Sequence, residues 1–519
     1  LMPFDRHAPF EGLDSTVHPI TAGPVKDLNI SVSVLNAEWR LLTEANPNAY
    51  SVERLAELHE DLLQWLSTLA AYSERTPLAP LLQDMPPLSM LRGPELDRPV
   101  TPVLELLLAA AARRPDKAAI ETRGEFLTYA ELLRQVQQLA ARLAEGGLQA
   151  QDRVVILLPR SPQAIVAILA TLWVGACYVP LDPLGPGSRL TMVLADASPR
   201  QVITLACWAD KAGTWPVLSL DDAAVATVRG AMEHPHAAAS EQAAYLLYTS
   251  GSTGKPNGVV VGHGALSHFV ASAGQLYGVH LNDRVLQFAP LHFDASIEEI
   301  FLTLCHGATL VLRDDAALDS VPAFAAFVAQ ARISILDLPT AYWHVLAHAL
   351  DPEQAALLQG VRLTIIGGEA ALPERARRWR ALLPGNVLVN SYGPTEASVI
   401  ATTATLSGPG AVWKGQDTMP IGLPRPGVDA IVADEQGYPV AVGVTGELLL
   451  SGDALALAYR GDAALTARRF VTLPGLPNRQ RAYRTGDRVC LQDGQLVFLG
   501  RLDNEVKISG LRIDPAEVE

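Results

Sequence analysis

From Val103 onward the sequence alternates two textures, and that alternation limits the fold more than any single residue does. Stretches rich in Ala and Leu, long enough for helices, are separated by short Val/Ile/Leu runs at 153–158, 245–248, 308–312 and 363–366. Strands interleaved with helices predict an α/β fold with largely parallel sheets. After Thr418 the strand-like runs shorten and crowd together (430–433, 447–451, 488–491, 495–499), which predicts a smaller antiparallel β unit. The chain's length corresponds to roughly three domains. It shows no internal repeat and no low-complexity tract.

Several classes drop out early. Residues 164–181 read AIVAILATLWVGACYVPL, uncharged and about as long as a membrane span. Gly175 breaks the run and strand formers follow it, so a buried helix followed by a buried strand is the better expectation. Lys and Arg number 40 against 55 Asp and Glu, a net charge of -15. That balance opposes broad binding to nucleic acid or anionic lipid, but not a local phosphate site. Cys177, Cys207, Cys305 and Cys490 stand far apart, with no CxxC pair and no His at zinc-ligand spacing. A disulfide scaffold and a structural zinc are therefore disfavoured, and a reducing compartment fits. No basic-then-apolar leader follows Leu1, so a cytoplasmic segment of a longer polypeptide is expected.

The most chemical stretch is Tyr248-Thr249-Ser250-Gly251-Ser252-Thr253-Gly254-Lys255-Pro256-Asn257-Gly258, directly after the apolar run 245–247. Glycines let the backbone fold round an anion, hydroxyls and N–H groups donate to it, and Lys255 adds charge. A Walker loop needs Gly at 249 and Ser or Thr after the Lys, where Thr249 and Pro256 stand. This is a phosphate loop of another kind, and taken alone it is also compatible with a surface turn.

The string TSGSTGKPNG resembles the signature loop of the adenylate-forming superfamily: acyl-CoA ligases, luciferases and nonribosomal peptide synthetase adenylation domains. Other blocks of that family surround it in the family's order. They are Leu127-Thr128-Tyr129-Ala130-Glu131-Leu132, Gly175-Ala176-Cys177-Tyr178-Val179-Pro180-Leu181-Asp182-Pro183, Phe293-Asp294-Ala295-Ser296 and Asn390-Ser391-Tyr392-Gly393-Pro394-Thr395-Glu396. Gly446-Glu447-Leu448, Tyr483-Arg484-Thr485-Gly486-Asp487 and Gly500-Arg501-Leu502-Asp503 complete the set. The resemblance covers residues 103–519 and looks like the peptide synthetase branch. It implies a core of two mostly parallel sheets flanked by helices plus a small antiparallel β unit. It also implies a reaction that joins a carboxylate to ATP, giving an acyl adenylate and pyrophosphate.

By this resemblance Thr249, Ser250, Gly251, Ser252, Thr253, Gly254 and Lys255 hold the β- and γ-phosphates. Asn257 stands where the family usually carries a second Lys. Thr395 contacts the α-phosphate, Glu396 ligates Mg²⁺, Tyr392 stacks on adenine, and Asp487 accepts from the ribose hydroxyls with Arg501 nearby. Thr395, Glu396 and Lys255 form the catalytic set, and Asp503 is the hinge candidate. Asp294 takes the family's position for a substrate α-ammonium, which implies an α-amino acid.

Matching by motif places Ala295, Glu298, Asp337, Ile365, Gly367, Ser391, Val399 and Ile400 around the substrate side chain. Asp294 and Glu298 are four apart, so on a helix they share a face. Carboxylates stacked there are costly unless cations meet them. A cationic side chain would neutralise Glu298 and Asp337, and Gly367 would leave room for length. Lysine is the leading expectation, with ornithine and arginine next. Competing readings leave Glu298 solvated, or use Asp337 to cap the segment starting at Pro339. Glu299 reads as structural.

Residues 1–75 contain Pro24-Val25-Lys26-Asp27-Leu28-Asn29-Ile30-Ser31-Val32 and a helical stretch, 52–69, with Leu55, Leu58, Leu62, Leu63 and Leu66 on one face. They resemble the closing piece of a condensation domain, without its HHxxxDG motif. Residues 76–102 are dense in proline and read as a linker, 103–502 as the adenylation core, and 503–519 as the hinge and truncated start of a lid. The family's catalytic Lys lies further into that lid, so poor adenylation by this chain alone is expected. The partners implied are the amino acid, a downstream peptidyl carrier protein with its phosphopantetheine arm, and an upstream condensation domain, with an MbtH-like activator left open. Neither nucleic acid nor a membrane is expected as a partner. An acyl- or aryl-CoA ligase and a non-catalytic nucleotide- or amino-acid-binding module stay open as alternatives.

Overall fold

A computed structural model describes residues 28–35, 38–47, 50–70, 87–221, 230–250, 255–473, 481–503, 506–508 and 511–513. The chain divides into two compact units, 1–85 and 86–519. In the first, strands Leu28–Leu35 and Glu38–Ala45 pair antiparallel from Leu28 opposite Ala45 to Leu35 opposite Glu38. Helix Val52–Ala70 follows, tied back by Thr43 Oγ1 and His59 Nδ1 at 2.9 Å. Its apolar face is only partly covered: Leu55, Leu58 and Leu62 are half-buried while Leu63 and Leu66 are exposed.

Two sheets organise the larger unit. A seven-stranded sheet has a parallel series, Ala243–Thr249, Cys177–Leu181, Arg153–Leu157, Gln201–Thr204 and Val217–Ser219. Antiparallel strands Asn257–Gly262 and Ala458–Tyr459 extend it beyond Ala243–Thr249. The fifteen-stranded sheet has its own parallel centre, Ala118–Thr122, Thr309–Leu312, Arg284–Gln287, Ile335–Pro339, Leu363–Gly367 and Val387–Tyr392. The antiparallel strands expected after Thr418 are present, but they continue this sheet. Thr402–Ser407 pairs with Val387–Tyr392 and passes the ladder to Pro420–Pro424 and on to Gln495–Arg501. A strand edge that finds a neighbour leaves no open row of N–H and C=O groups.

Part of the expected linker belongs to this sheet as well. Met90–Arg92 pairs antiparallel with Val428–Ala433, and Ser89 is buried, its N–H donating to the Val440 carbonyl at 2.7 Å. The larger unit therefore takes in residues 87–102 as an edge strand and its flanks. Prolines suit such an edge, where an N–H is not needed.

Local chemistry explains several of the ordered blocks. The 164–181 run divides into helix Pro162–Trp173, Gly175 at φ 76° and strand Cys177–Leu181, and residues 164–181 are all buried. Among the described residues no helix is long and apolar enough to cross a membrane. Thr128 and Glu131 form a reciprocal capping box that starts helix Tyr129–Glu145. The blocks around 447 and 485 meet in space: Arg484 pairs with Glu447 at 2.5 Å, and Glu447 also accepts from the Gly486 N–H at 3.0 Å. Trp173, Trp343 and Trp379 are fully buried, and all four cysteines are free thiols.

Candidate active site

Strands Ala243–Thr249 and Asn257–Gly262 form an antiparallel hairpin that closes with Thr249 opposite Asn257. The expected phosphate loop is the tip of this hairpin, whereas a Walker loop leads from a strand into a helix. Ser250 is buried at one side of the tip and Lys255 is exposed at the other. Gly251, Ser252, Thr253 and Gly254 lie outside the described residues.

A cavity of about 280 Å³ opens beside Tyr392, lined also by Gly368, Glu369, Gly393, Met419 and Phe498. The Tyr392 hydroxyl donates to Asp487 Oδ2. Burial, then the Asp487 charge, pushes that phenol well above its ordinary range, so it remains a donor. Arg501 Nη1 donates to Asp487 Oδ1 at 2.9 Å, while its Nε and Nη2 hold Asp503 at 2.8 and 2.6 Å. Asp487 is thus already engaged by Tyr392 and Arg501, though each carboxylate oxygen can accept a second bond. Arg501 bridges the expected ribose acceptor and the expected hinge residue.

Glu396 is 1% exposed, and the Tyr459 hydroxyl donates to its Oε1 at 2.5 Å. Tyr459 also meets the Tyr483 hydroxyl at 3.2 Å. Among the described residues no cluster of three His, Cys, Asp or Glu side chains could cage a metal. A Mg²⁺ carried on nucleotide phosphates needs only one or two protein carboxylates, and Glu396 fits that demand.

Four of the residues expected around the substrate side chain lie on adjacent parallel strands. Asp337 lies opposite Ile365, Pro339 opposite Gly367 and Ile366 opposite Asn390, so Asp337, Ile365, Gly367 and Ser391 gather toward the carboxyl ends of three neighbouring strands. Clefts of open α/β sheets lie at those ends. Asp294 immediately precedes helix Ala295–Cys305, and its Oδ2 accepts from Thr395 Oγ1 at 2.6 Å. Ala295 and Glu298 occupy the first turn of that helix.

Glu298 and Asp337 are 3% and 8% exposed, and Glu298 Oε1 and Asp337 Oδ2 have no hydrogen-bond partner. Burial is the main force on Glu298, pushing its carboxyl up to about 8. Tyr277 and Arg425 oppose the rise, while Glu299 and Asp294 add to it. Asp337 is pushed well above the usual carboxylate range by burial, then by Glu298, Glu299 and Asp294. Glu298 is therefore not solvated. Nor does Asp337 cap the helix after Pro339, whose start carries no side-chain capping bond. Glu299 is structural, accepting from Gln287 Nε2 and the N–H groups of Phe288 and Ala289 at 2.8–3.0 Å.

One expectation needs correction. A Cβ on Gly367 would stand 2.6 Å from Ser391 Oγ, so the missing side chain is used by the neighbouring strand rather than left open for substrate length. Val399 and Ser398 hold positive φ angles of 71° and 56°. A β-branched residue there is strained, a condition typical of constrained sites. The turn is pinned by Ser398 Oγ donating to the Ala454 carbonyl at 2.6 Å and by Arg425 Nε donating to the Ile400 carbonyl at 2.6 Å. Sequence reasoning missed Arg425 and Tyr459. For Arg425 the available signal was a lone cation inside the apolar run PIGLPRPGV.

The family model described as AMP-binding enzyme matches residues 107–460. The chain is 46% identical over 528 residues to an isonitrile lipopeptide synthase of Streptomyces coeruleorubidus, covering 100% of this chain and 35% of that protein. It is 33% identical over 534 residues to a dimodular nonribosomal peptide synthase of Bacillus subtilis (strain 168), of which it covers 22%. The chain thus spans about a third or less of these two relatives. Among solved structures it resembles NpsA-ThdA, an artificially fused adenylation-PCP di-domain from Klebsiella oxytoca. The TM-score is 0.74 at 28% identity, over 82% of this chain and 83% of that one. The AMPPNP-bound form of the nonribosomal peptide synthetase FmoA3 matches with TM-score 0.73 at 26% identity, over 95% of this chain and 54% of that one. The chain belongs to the AMP-binding enzyme family and has the fold of a nonribosomal peptide synthetase adenylation domain.

Proposed function

We propose that this chain activates a cationic α-amino acid, lysine before ornithine or arginine, by joining its carboxylate to the α-phosphate of ATP. The carboxylate oxygen attacks the α-phosphorus, the bond to the β-phosphate oxygen breaks, and pyrophosphate leaves with its electron pair. The aminoacyl group then passes to the phosphopantetheine thiol of a peptidyl carrier protein, the bond to the AMP phosphate oxygen breaking and AMP leaving. One observation carries the substrate class: Glu298 and Asp337 are buried with unpaired oxygens beside Asp294, and an ammonium group would supply the missing donors and charge.

The hairpin tip with Thr249, Ser250 and Lys255 would hold the outer phosphates, and the cavity beside Tyr392 would take the base, with Asp487 at the ribose. Glu396 would hold Mg²⁺, which when bound spreads the phosphate charge. Thr395 and Asp294, already joined, would bring the α-phosphate and the α-ammonium to neighbouring positions, so catalysis is chiefly positioning. Residues 1–75 are read as the closing piece of a condensation domain, and an MbtH-like activator remains a candidate partner.

Amino-acid-dependent ATP–pyrophosphate exchange tests this, run over the proteinogenic amino acids and ornithine in a polypeptide carrying this chain with the lid region. Lysine, ornithine or arginine is expected to lead. Phenylalanine or leucine ahead of them would overturn the charge argument. Activation of fatty or benzoic acids with no amino acid would favour an acyl- or aryl-CoA ligase.

A further inference from the structure

Asp294 follows a loop that is held by both sheets. Strand Arg284–Gln287 ends at Gln287, and residues 288–293 carry the chain to Asp294 and helix Ala295–Cys305. The first two residues of that loop have all four backbone polar groups taken by side chains. Glu299 Oε1 accepts from the Phe288 and Ala289 N–H groups at 2.8 and 3.0 Å. Arg160 Nη2 donates to the Phe288 and Ala289 carbonyls at 2.7 and 3.1 Å. Gln287 stands between the two charges. Its side-chain oxygen accepts from Arg160 Nε, and its Nε2 donates to Glu299 Oε2 at 2.8 Å and to the Ala289 carbonyl at 2.6 Å. Ser296 Oγ closes the far end of the loop on the Leu291 and Phe293 carbonyls, at 3.0 and 2.7 Å.

The donors and acceptors come from different sheets. Arg160 lies between strand Arg153–Leu157 and helix Pro162–Trp173, in the seven-stranded sheet whose hairpin carries the expected phosphate loop. Gln287 belongs to the fifteen-stranded sheet, and Glu299 to the helix that Asp294 opens. Gln287 is 0% and Glu299 1% exposed. Burial pushes the Glu299 carboxyl up to about 7, against the pull of the Ala289 and Phe288 N–H groups, Gln287 and Arg160. Apolar packing would hold the loop without burying a carboxylate, but it has no direction. Hydrogen bonds orient each peptide group they meet.

We propose that Arg160, Gln287 and Glu299 are positioning residues that aim Asp294 at the substrate α-ammonium and fix it relative to the sheet of the phosphate loop. The inference rests on the reading of Asp294 as acceptor of an α-ammonium. None of the three is a candidate ligand; each acts through the loop backbone.

The test compares kcat/KM for lysine and for 6-aminohexanoate, which is lysine without its α-amino group, by ATP–pyrophosphate exchange in the same lid-containing polypeptide. Where another amino acid leads the exchange screen, it and its counterpart without the α-amino group replace this pair. Gln287→Met and Arg160→Met are each expected to lower the ratio about tenfold through the amino-acid KM, with the ATP KM within about twofold of the parent. Asp294→Ala should lower it about 100-fold. Arg160→Met should fold, because Arg313 Nε still donates to the Phe288 carbonyl at 3.2 Å and Gln287 to that of Ala289. If the buried Gln287→Met does not fold, Arg160→Met decides. A network that only stabilises the fold would lower both substrates alike. An unchanged ratio in either variant that folds, while Asp294→Ala lowers it, overturns the inference and leaves the functional reading standing. Failure of Arg160→Met to fold also overturns it. An unchanged ratio in Asp294→Ala means that the functional reading itself fails, and the inference with it.

Discussion

Thr395 Oγ1 donates to Asp294 Oδ2 at 2.6 Å, joining two residues 101 positions apart in sequence. One is the expected contact of the α-phosphate and the other of the α-ammonium, so the bond couples the two halves of the cleft. Asp294→Ala is expected to lower kcat/KM for every amino acid by about 100-fold, because a charged acceptor is lost. Combining Asp294→Asn with Thr395→Val should cost less than the sum of the two, with a coupling of about 0.5–3 kcal/mol. Exchange kinetics on the four proteins measure it, and strict additivity would refute the coupling.

Lysine binding should strengthen as pH rises. The empty cleft retains a proton on the group formed by Glu298 and Asp337, because burial and the neighbouring acids Asp294 and Glu299 outweigh Tyr277 and Arg425. A bound ammonium favours the ionised form and expels that proton. Affinity for lysine should therefore climb by up to about tenfold per pH unit and level off above the Glu298 value of about 8. Without substrate the sign reverses for stability: the folded chain holds a proton that the unfolded chain releases, so stability falls as pH rises toward that value. Calorimetric titration with lysine and norleucine checks this, since norleucine should not gain.

Tyr459→Phe removes the hydroxyl that holds Glu396 Oε1. Loss of a charge-assisted hydrogen bond of about 1.5–3 kcal/mol leaves the carboxylate less well oriented. The Mg²⁺ concentration for half-maximal exchange should rise about three- to tenfold while the lysine KM stays unchanged. An altered lysine KM with an unchanged Mg²⁺ demand would contradict this assignment.

Gly422→Ala should destabilise the larger unit by about 3 kcal/mol or more. Gly422 has φ 87°, and a Cβ there would lie 1.8 Å from the Thr403 carbonyl oxygen, which cannot step aside because it is backbone. The urea midpoint of unfolding reports the change. A neutral result would mean that the strand pair Thr402–Ser407 and Pro420–Pro424 tolerates a shift in register.

Much of this was legible before any coordinates. Helix and strand alternation identifies the parallel sheets, and Gly175 marks where helix Pro162–Trp173 gives way to its strand. Pattern alone could not show that the antiparallel strands after Thr418 continue the larger sheet, since that depends on the ladder passed through Thr402–Ser407. The expected cleft residues were read from ordered blocks, each carrying a local chemical signature. Arg425 was not, because its role depends on helix His263–Tyr277 folding against it from more than 140 positions upstream. Tyr459 reads as an apolar strand residue until Glu396, 63 positions away, arrives beneath its hydroxyl. Gly367 was read as spare space because the Ser391 hydroxyl that fills it comes from another strand.

Asp337, Gly367 and Ser391 ride on three adjacent strands of one hydrogen-bonded sheet. Their lateral separations are therefore multiples of a strand spacing of about 4.8 Å, set by backbone geometry rather than by loops. A cleft built this way behaves as a gauge of fixed bore. On the proposed function, a substrate homologue one methylene shorter or longer would meet the same walls and would be discriminated by length without a moving part.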